Sequence, residues 1–205
     1  MKWMKIVLFG LLLVGCSSNT TVTGTWKMPN NQVKAKNIMV FALSHELPVR
    51  QGAEDALVKK LKAAGVEAQS SLRALGAKMA PGKTTREALI AAVKAKGADH
   101  ALVVALLRTD TQTRYVPGAT SYSPDPFLYG PFSNVYPGLY MQISEPGYYK
   151  QFQHFYLESD LYRVKDEQLV WSAQTDTVNP DVNIDTAAQD FSDKLISAMK
   201  GAALW

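Results

Sequence analysis

The sequence predicts an α/β fold. The predicted architecture is a single-domain sandwich with a mixed sheet. Three parallel strands with crossover helices precede an antiparallel hairpin and a C-terminal helix. Residues 37–43 and 101–107 are continuous apolar runs, typical of strands buried on both faces. Helical patterns separate the strands, which implies right-handed crossovers and a parallel sheet. From residue 155 onwards strict alternation replaces the helical period, which indicates a half-buried hairpin.

The first helix is predicted directly after the first buried strand. Pro48 suits a first helical turn, and Gly65 suits the left-handed conformation that ends a helix. Arg50 and Glu54 fall largely outside the apolar stripe, so we expect both to face solvent. The stripe comprises Val49, Ala53, Ala56, Leu57, Leu61 and Ala64.

A short second strand and a second helix follow. The strand begins at residues 66–68, and the capping-box spacing of Thr84 and Glu87 predicts that the helix starts there. The apolar run 101–107 should be the central strand. Threonines alternate with polar residues over 109–113, which predicts that this strand projects beyond the core.

The carboxyl-terminal part is predicted to be a long hairpin and a closing helix. Residues 165–167 make the turn, and Asp185 suits the start of the helix. The inward-facing positions are Phe155, Leu157, Ser159 and Leu161 on the first strand and Leu169, Trp171 and Ala173 on the second.

The segment 115–149 breaks this periodicity. It holds six of the ten prolines, seven of the nine tyrosines and four glycines, and a loop of this length usually has a function or covers a surface. Two interpretations stay open: a self-packed flap, or a partner surface whose rings bury area and hydrogen-bond at the tip. The candidate partner residues are Tyr122, Tyr129, Tyr136, Tyr140, Tyr148 and Tyr149.

The amino terminus has the layout of a secretory signal peptide. Two lysines precede the apolar run 6–14, which is too short for a hydrocarbon core that needs about 20 residues. Leu13-Val14-Gly15-Cys16 resembles the lipobox of bacterial lipoproteins. The resemblance implies cleavage before Cys16, a diacylglycerol thioether on its sulfur and acylation of the new amino terminus. Ser17, where an aspartate would retain the protein on the inner membrane, implies the periplasmic face of the outer membrane.

Three regions follow from these patterns: a signal peptide (1–15), a lipidated tether (16–36) and an α/β domain (37–205). The tether is too polar to hold a core of its own, although Trp26 is expected to pack onto the domain as a latch. Cys16 is the only cysteine, so no internal disulfide can form.

Composition excludes some classes of function. Without the two lysines of the signal, 20 basic side chains face 18 acidic ones, and a formal charge near +2 argues against a dedicated nucleic-acid binder. No later segment is apolar enough to span a membrane.

Motifs for site chemistry are missing from the sequence. No G-x-G-x-x-G or Walker pattern follows the first strand, and no serine lies in a G-x-S-x-G turn. The histidines, His45, His100 and His154, are isolated, and His100 is expected at a solvated strand end. Ser44, His45 and Glu46 follow a buried strand, where they suit a polar helix cap better than a hydrolase site. No catalytic residue, metal ligand or cofactor is assigned.

The whole pattern resembles a group of bacterial lipoproteins. They share a lipobox, a linker tryptophan, a strand–helix unit, a Tyr/Gly-rich loop and a strand ending in L-V-W-S. In this chain those pieces are Trp26, residues 62–67, residues 113–118 and residues 169–172. The strand–helix order is more distantly similar to envelope-assembly domains such as the curli secretion lipoprotein and the amino-terminal domain of the periplasmic Tol–Pal component. A shared fold does not imply a shared function.

We therefore expect a non-enzymatic, outer-membrane-anchored binding or assembly module. Its partner would be an envelope protein contacted through the tyrosine-rich loop and the adjoining sheet edge. The alternatives are a glycan-binding module for peptidoglycan or lipopolysaccharide, a hydrolase that uses Ser44 and His45, and a homo-oligomer formed by sheet-edge pairing.

Overall fold

The computed structural model describes residues 19–30, 34–76, 84–118, 147–178 and 184–205. Within them the predicted fold class is confirmed, since one mixed sheet of six strands, in the order β1-β6-β5-β4-β2-β3, packs against helices. The strands are β1 (Thr20–Lys27), β2 (Asn37–Leu43), β3 (Glu67–Ser70), β4 (His100–Val116), β5 (Tyr148–Arg163) and β6 (Gln168–Val178). The helices are α1 (Leu47–Ala63), α2 (Ser71–Leu75), α3 (Arg86–Ala95) and α4 (Ile184–Gly201).

The strand pairing follows the predicted division into two halves. β2 pairs in parallel with β3 on one side and with β4 on the other, so β4 is a central strand. β4, β5 and β6 pair antiparallel, and the turn between β5 and β6 contains Glu167 with a positive φ of 58°. Gly65 ends the first helical unit with a φ of +86°, as its position in the sequence predicts.

The two faces of the sheet are covered differently. The main core lies on the face that α1 and α4 cover, and it includes Leu57, Trp171 and Leu195, all with no exposed surface. A second cluster, built on Met39 and Phe41 with residues of α2 and α3, lies on the opposite face over the parallel strands. Among the described residues, no helix covers that opposite face over β5, β6 and β1.

The predicted tether needs a correction, because residues 20–27 form an edge strand of the sheet. β1 pairs antiparallel with β6 from Thr20 opposite Thr177 to Lys27 opposite Trp171. Trp26 lies opposite Ser172 and remains 47% exposed, so the backbone of β1, rather than the tryptophan ring, holds this segment to the domain. A polar strand can join a sheet because backbone groups make the ladder bonds, whatever the side chains are.

Two element starts also differ from the prediction by small shifts. Thr85, not Thr84, caps α3, and its hydroxyl accepts a hydrogen bond from Ala88 N at 3.3 Å. Asp185 lies inside the first turn of α4, where a carboxylate favours the positive end of the helix dipole.

Candidate binding surface

Arg50 and Glu54 are buried, contrary to the prediction that both face solvent. Their exposed fractions are 3% and 0%, and Arg50 Nε donates to Glu54 Oε1 at 3.0 Å across one helical turn. The prediction failed because it was based only on the hydrophobic pattern of α1. A charged pair can occupy an interior position when its partners there satisfy it.

The Glu54 carboxylate is the centre of a hydrogen-bond network at the carboxyl ends of β2 and β3. Oε1 accepts from Ser71 Oγ at 2.8 Å and from Ala42 N at 3.2 Å. Oε2 accepts from Ser70 Oγ at 2.6 Å and from Leu72 N at 2.8 Å. With the bond from Arg50, five donors saturate the two oxygens, so this network joins β2, α1, β3 and α2 and leaves no acceptor for a ligand.

The loop between β2 and α1 carries the three residues of the hydrolase alternative. The Ser44 hydroxyl accepts a hydrogen bond from Glu46 N at 3.1 Å, but no side chain among the described residues caps α1, so the expected polar helix cap is not formed. His45 and Glu46 are exposed, and the Glu46 side chain makes no cap hydrogen bond to α1. In the described part of the chain, no hydrogen bond joins Ser44 to His45.

The other two histidines are each paired with a carboxylate. His100 is 1% exposed, so the expected solvated position is wrong: it pairs with Ile38 and Arg163 inside the sheet. Its Nδ1 lies 2.8 Å from Asp99 Oδ1.

His154 is also buried, and its Nδ1 lies 2.9 Å from Asp176 Oδ2. Neither Nε2 atom has a hydrogen-bond partner among the described residues. Within those residues no three His, Cys, Asp or Glu side chains group as metal ligands.

The sheet has a two-stranded extension, here called the β-ribbon arm. It consists of residues 111–116 of β4 paired with residues 148–153 of β5. β6 ends at Val178 opposite His154, so beyond that point only two strands remain among the residues that the structure describes. This confirms the predicted projection of β4. It also corrects the predicted loop 115–149, because both ends of that segment are paired strand.

Aromatic and cationic side chains dominate the arm. Tyr115, Tyr148 and Tyr149 are 58%, 57% and 75% exposed, and the rings of Tyr115 and Tyr149 lie 5.3 Å apart across the strands. Arg114 and Lys150 lie over the Phe152 ring, at 5.7 and 5.2 Å from its centre. The Tyr115 ring also covers Gly147 so closely that a Cβ there would collide with it.

Two of the six candidate tyrosines, Tyr148 and Tyr149, are therefore on the arm. Tyr115 is a third exposed ring that the candidate set omitted, although the polar alternation over 109–113 runs directly into it. Cys16, the signal peptide 1–15 and the other four tyrosines lie outside the described residues: Tyr122, Tyr129, Tyr136 and Tyr140.

A second surface, here called the open face, continues the arm onto the domain. It comprises the side chains of β5, β6 and β1 on the face opposite α4: His154, Tyr156, Glu158, Asp160, Tyr162, Ser172, Gln174, Asp176 and Trp26. Glu158 accepts from Gln174 Nε2 at 3.4 Å, and Asp160 accepts from the Tyr162 hydroxyl at 3.3 Å. Burial raises the pKa of Tyr162, and the neighbouring Asp160 carboxylate raises it further.

Two of the three carboxylates of the open face, Glu158 and Asp160, form no salt bridge within the described residues. Asp110 and Asp176, by contrast, are paired with Arg108 and His154. Arg108 also lies over the Tyr156 ring, 4.0 Å from its centre. The middle of the open face is therefore a patch of tyrosines and unneutralised carboxylates.

Comparisons with known proteins give no family. No family model matches the chain, and no curated protein matches it.

In the part of the chain that the structure describes, no helix is long and apolar enough to cross a membrane.

Solved structures match at low similarity. The PelC dodecamer from Paraburkholderia phytofirmans is 14% identical, with 86% of this chain and 94% of that chain covered and a TM-score of 0.45. Lipoprotein GNA1162 from Neisseria meningitidis is 13% identical, with 82% and 97% covered and a TM-score of 0.42. Similarities of this size assign neither a family nor a function.

Proposed function

We propose that this chain is a non-enzymatic binding module of the bacterial cell envelope. A lipid on Cys16 would anchor it to the periplasmic face of the outer membrane. It would bind another envelope component, a protein, through the β-ribbon arm and the tyrosine-rich segment between the two strands of the arm. The observation that carries the proposal is the arm itself.

The arm has the physical properties of a surface that needs a partner. A two-stranded ribbon is only marginally stable in water unless another element packs against it. Here the ribbon exposes three tyrosine rings, and tyrosine is enriched where proteins bind one another. Contact with a partner would bury these rings and stabilise the ribbon at the same time.

The charge of the arm indicates which kind of partner surface would bind it. Residues 111–118 and 147–153 contain Arg114 and Lys150 and no acidic residue. Both cations lie over an aromatic ring, so they present their charge beside apolar surface. A partner surface with carboxylates between apolar groups would complement this arrangement.

The anchor would hold the domain close to the membrane. β1 begins at Thr20, four positions after Cys16. A fully extended chain of that length spans at most about 14 Å. The tether is therefore only a few residues long, not the expected residues 16–36. The domain can then contact only partners that lie at the membrane surface.

In-cell photocrosslinking tests the proposal. A photoreactive residue at Tyr149 should give a discrete product with an envelope protein, identified by mass spectrometry. The same residue at Lys59, exposed on α1, is the matched control and should give background only. Background from both positions contradicts a protein partner. If the chain then sediments with purified sacculi, and Tyr149→Ala abolishes this, the glycan-binding alternative replaces the proposal.

A further inference from the structure

We infer that the arm binds the open face of a second copy of this chain, in a two-fold dimer in which each arm lies on the other copy's carboxylates. This inference rests on the proposed function and names the partner. It follows from how charge is distributed along a single face of the sheet.

The arm and the open face belong to one continuous surface. Successive residues of a strand point to opposite faces, so the even-numbered residues of β5 share one face over its whole length. At the arm end these residues are Tyr148, Lys150 and Phe152, with Arg114 of β4 opposite Lys150. His154 lies midway along the strand, and at the domain end they are Tyr156, Glu158, Asp160 and Tyr162.

Charge is separated along this surface. Arg114 and Lys150 have no salt-bridge partner in the described ranges, and the same holds for Glu158 and Asp160. Lys150 and Glu158 are about 26 Å apart along the strand, at ~3.3 Å per residue. One end of the face is therefore cationic and aromatic, the other is anionic and aromatic, and the pairs Arg108–Asp110 and His154–Asp176 lie between them.

A two-fold axis makes such a surface complementary to itself. In an isologous dimer the same patch meets itself in the opposite direction, so each contact occurs twice. With the strands of the two copies antiparallel, Lys150 of each copy lies over Glu158 or Asp160 of the other. His154, midway between positions 150 and 158 and paired with Asp176 of its own chain, then lies at the axis, and Phe152 of each copy packs on Tyr156 of the other. In the parallel direction like charges would meet, so only the antiparallel arrangement is favourable.

The size of the contact sets the expected affinity. The face from position 148 to position 162 is about 46 Å long and, at two strands, roughly 10 Å wide. It would bury roughly 450 Å² per copy, which puts the dimer among weak, reversible interfaces. Anchoring both copies in one membrane raises their effective concentration and favours the contact without adding new interactions.

Charge reversal in the full chain, purified from membranes in detergent, tests the inference by sedimentation equilibrium. The wild type should dimerise reversibly, with a dissociation constant that rises with salt. Lys150→Glu and Glu158→Lys should each weaken the dimer at least about tenfold, because each places like charges in contact twice. Lys59→Glu, on the exposed face of α1, is the control and should leave the dimer unchanged. Circular dichroism melting establishes that each variant is folded.

Mixing the two variants gives the sharper test. An equimolar mixture of Lys150→Glu and Glu158→Lys should form a heterodimer as tight as the wild-type dimer, because every contact again joins opposite charges. The double variant in one chain should recover self-association for the same reason. The inference is overturned if the wild type stays monomeric, if neither reversal weakens the dimer, or if the mixture does not restore it.

Photocrosslinking in cells tests the proposed function separately from this inference. A photoreactive residue at Tyr148 should give a product between two copies of this chain. A product with a different envelope protein overturns the inference and leaves the proposed function standing. Background alone at Tyr148 overturns the inference, and it overturns the proposed function only if Tyr149 also gives background alone.

Discussion

Replacing Glu54 with leucine should destabilise the domain more than any single surface change. The substitution removes the acceptor of five hydrogen bonds and the charge partner of Arg50, which is 3% exposed. The Arg50 guanidinium keeps its hydrogen bond to Ser71 Oγ, but its positive charge has lost the only carboxylate bonded to it among the described residues. Two backbone N–H groups and the hydroxyls of Ser70 and Ser71 lose their acceptor as well.

The expected cost follows from that uncompensated charge. Breaking a buried ion pair from one side costs about 3–5 kcal/mol. A domain of ordinary stability unfolds with about 5–15 kcal/mol, so the variant should be near the limit of folding. The double variant Arg50→Met with Glu54→Leu removes both charges, so it should be more stable than Glu54→Leu alone despite carrying one more change.

Urea unfolding followed by circular dichroism measures these differences. The four proteins of a double-mutant cycle should give a coupling free energy of about 2 kcal/mol or more between positions 50 and 54. The slope against urea should stay constant, since the surface exposed on unfolding is unchanged. If Glu54→Leu costs less than about 1 kcal/mol, in the range of exposed pairs, the network contributes little and the reasoning is wrong.

Three further predictions address other parts of the chain. The hydrogen bond from Arg73 lowers the pKa of Asp55, so wild type should exceed Asp55→Asn in stability by under about 1 kcal/mol above roughly pH 5. That difference should vanish as the pH falls through the lowered pKa; a constant difference down to pH 2 would contradict the pairing. Gly65→Ala should cost about 1–2 kcal/mol because φ is +86° with open space around the site, whereas Gly24→Ala, with open space and an ordinary φ, should change stability little in the same urea titration. Cys16→Ser should prevent lipidation and move the chain from the membrane to the soluble fraction, and intact-mass measurement should show the lipid on the wild type alone.

The order and type of the central elements could be read from the sequence because they depend on local patterns. An apolar run such as residues 37–43 or 101–107 has to be buried on both sides, whatever its neighbours are. The helical stripe of α1 and the alternation of β5 and β6 have periods that only one type of element satisfies. The parallel order then follows from the handedness of the crossovers.

β1 and the β5 half of the arm could not be recognised in this way, whereas the threonine alternation over 109–113 predicted the β4 half. Residues 20–27 are mostly polar, and neither they nor residues 148–153 have an apolar face to set a period. Their strand structure depends on partners far along the chain, since Thr20 pairs with Thr177 and Val116 pairs with Tyr148. These strands are paired by hydrogen bonds between their backbones, so the side chains of one strand alone do not predict its partner.

Local sequence by itself determined the fold class, the buried strands and the positions where helices end, because hydrophobic period and glycine conformation are properties of short segments. Only the tertiary structure decided which polar side chains are buried. Glu54 is interior because the topology brings Ser70, Ser71 and two backbone N–H groups to it, and His100 because a central strand carries it between two neighbours. The same holds for the proposed binding surface: one strand carries both Lys150 and Glu158 because the pairing of β5 with β4 continues past the end of β6. The free energy of burying or exposing a polar group depends on partners that folding assembles, and those partners are distant in the sequence.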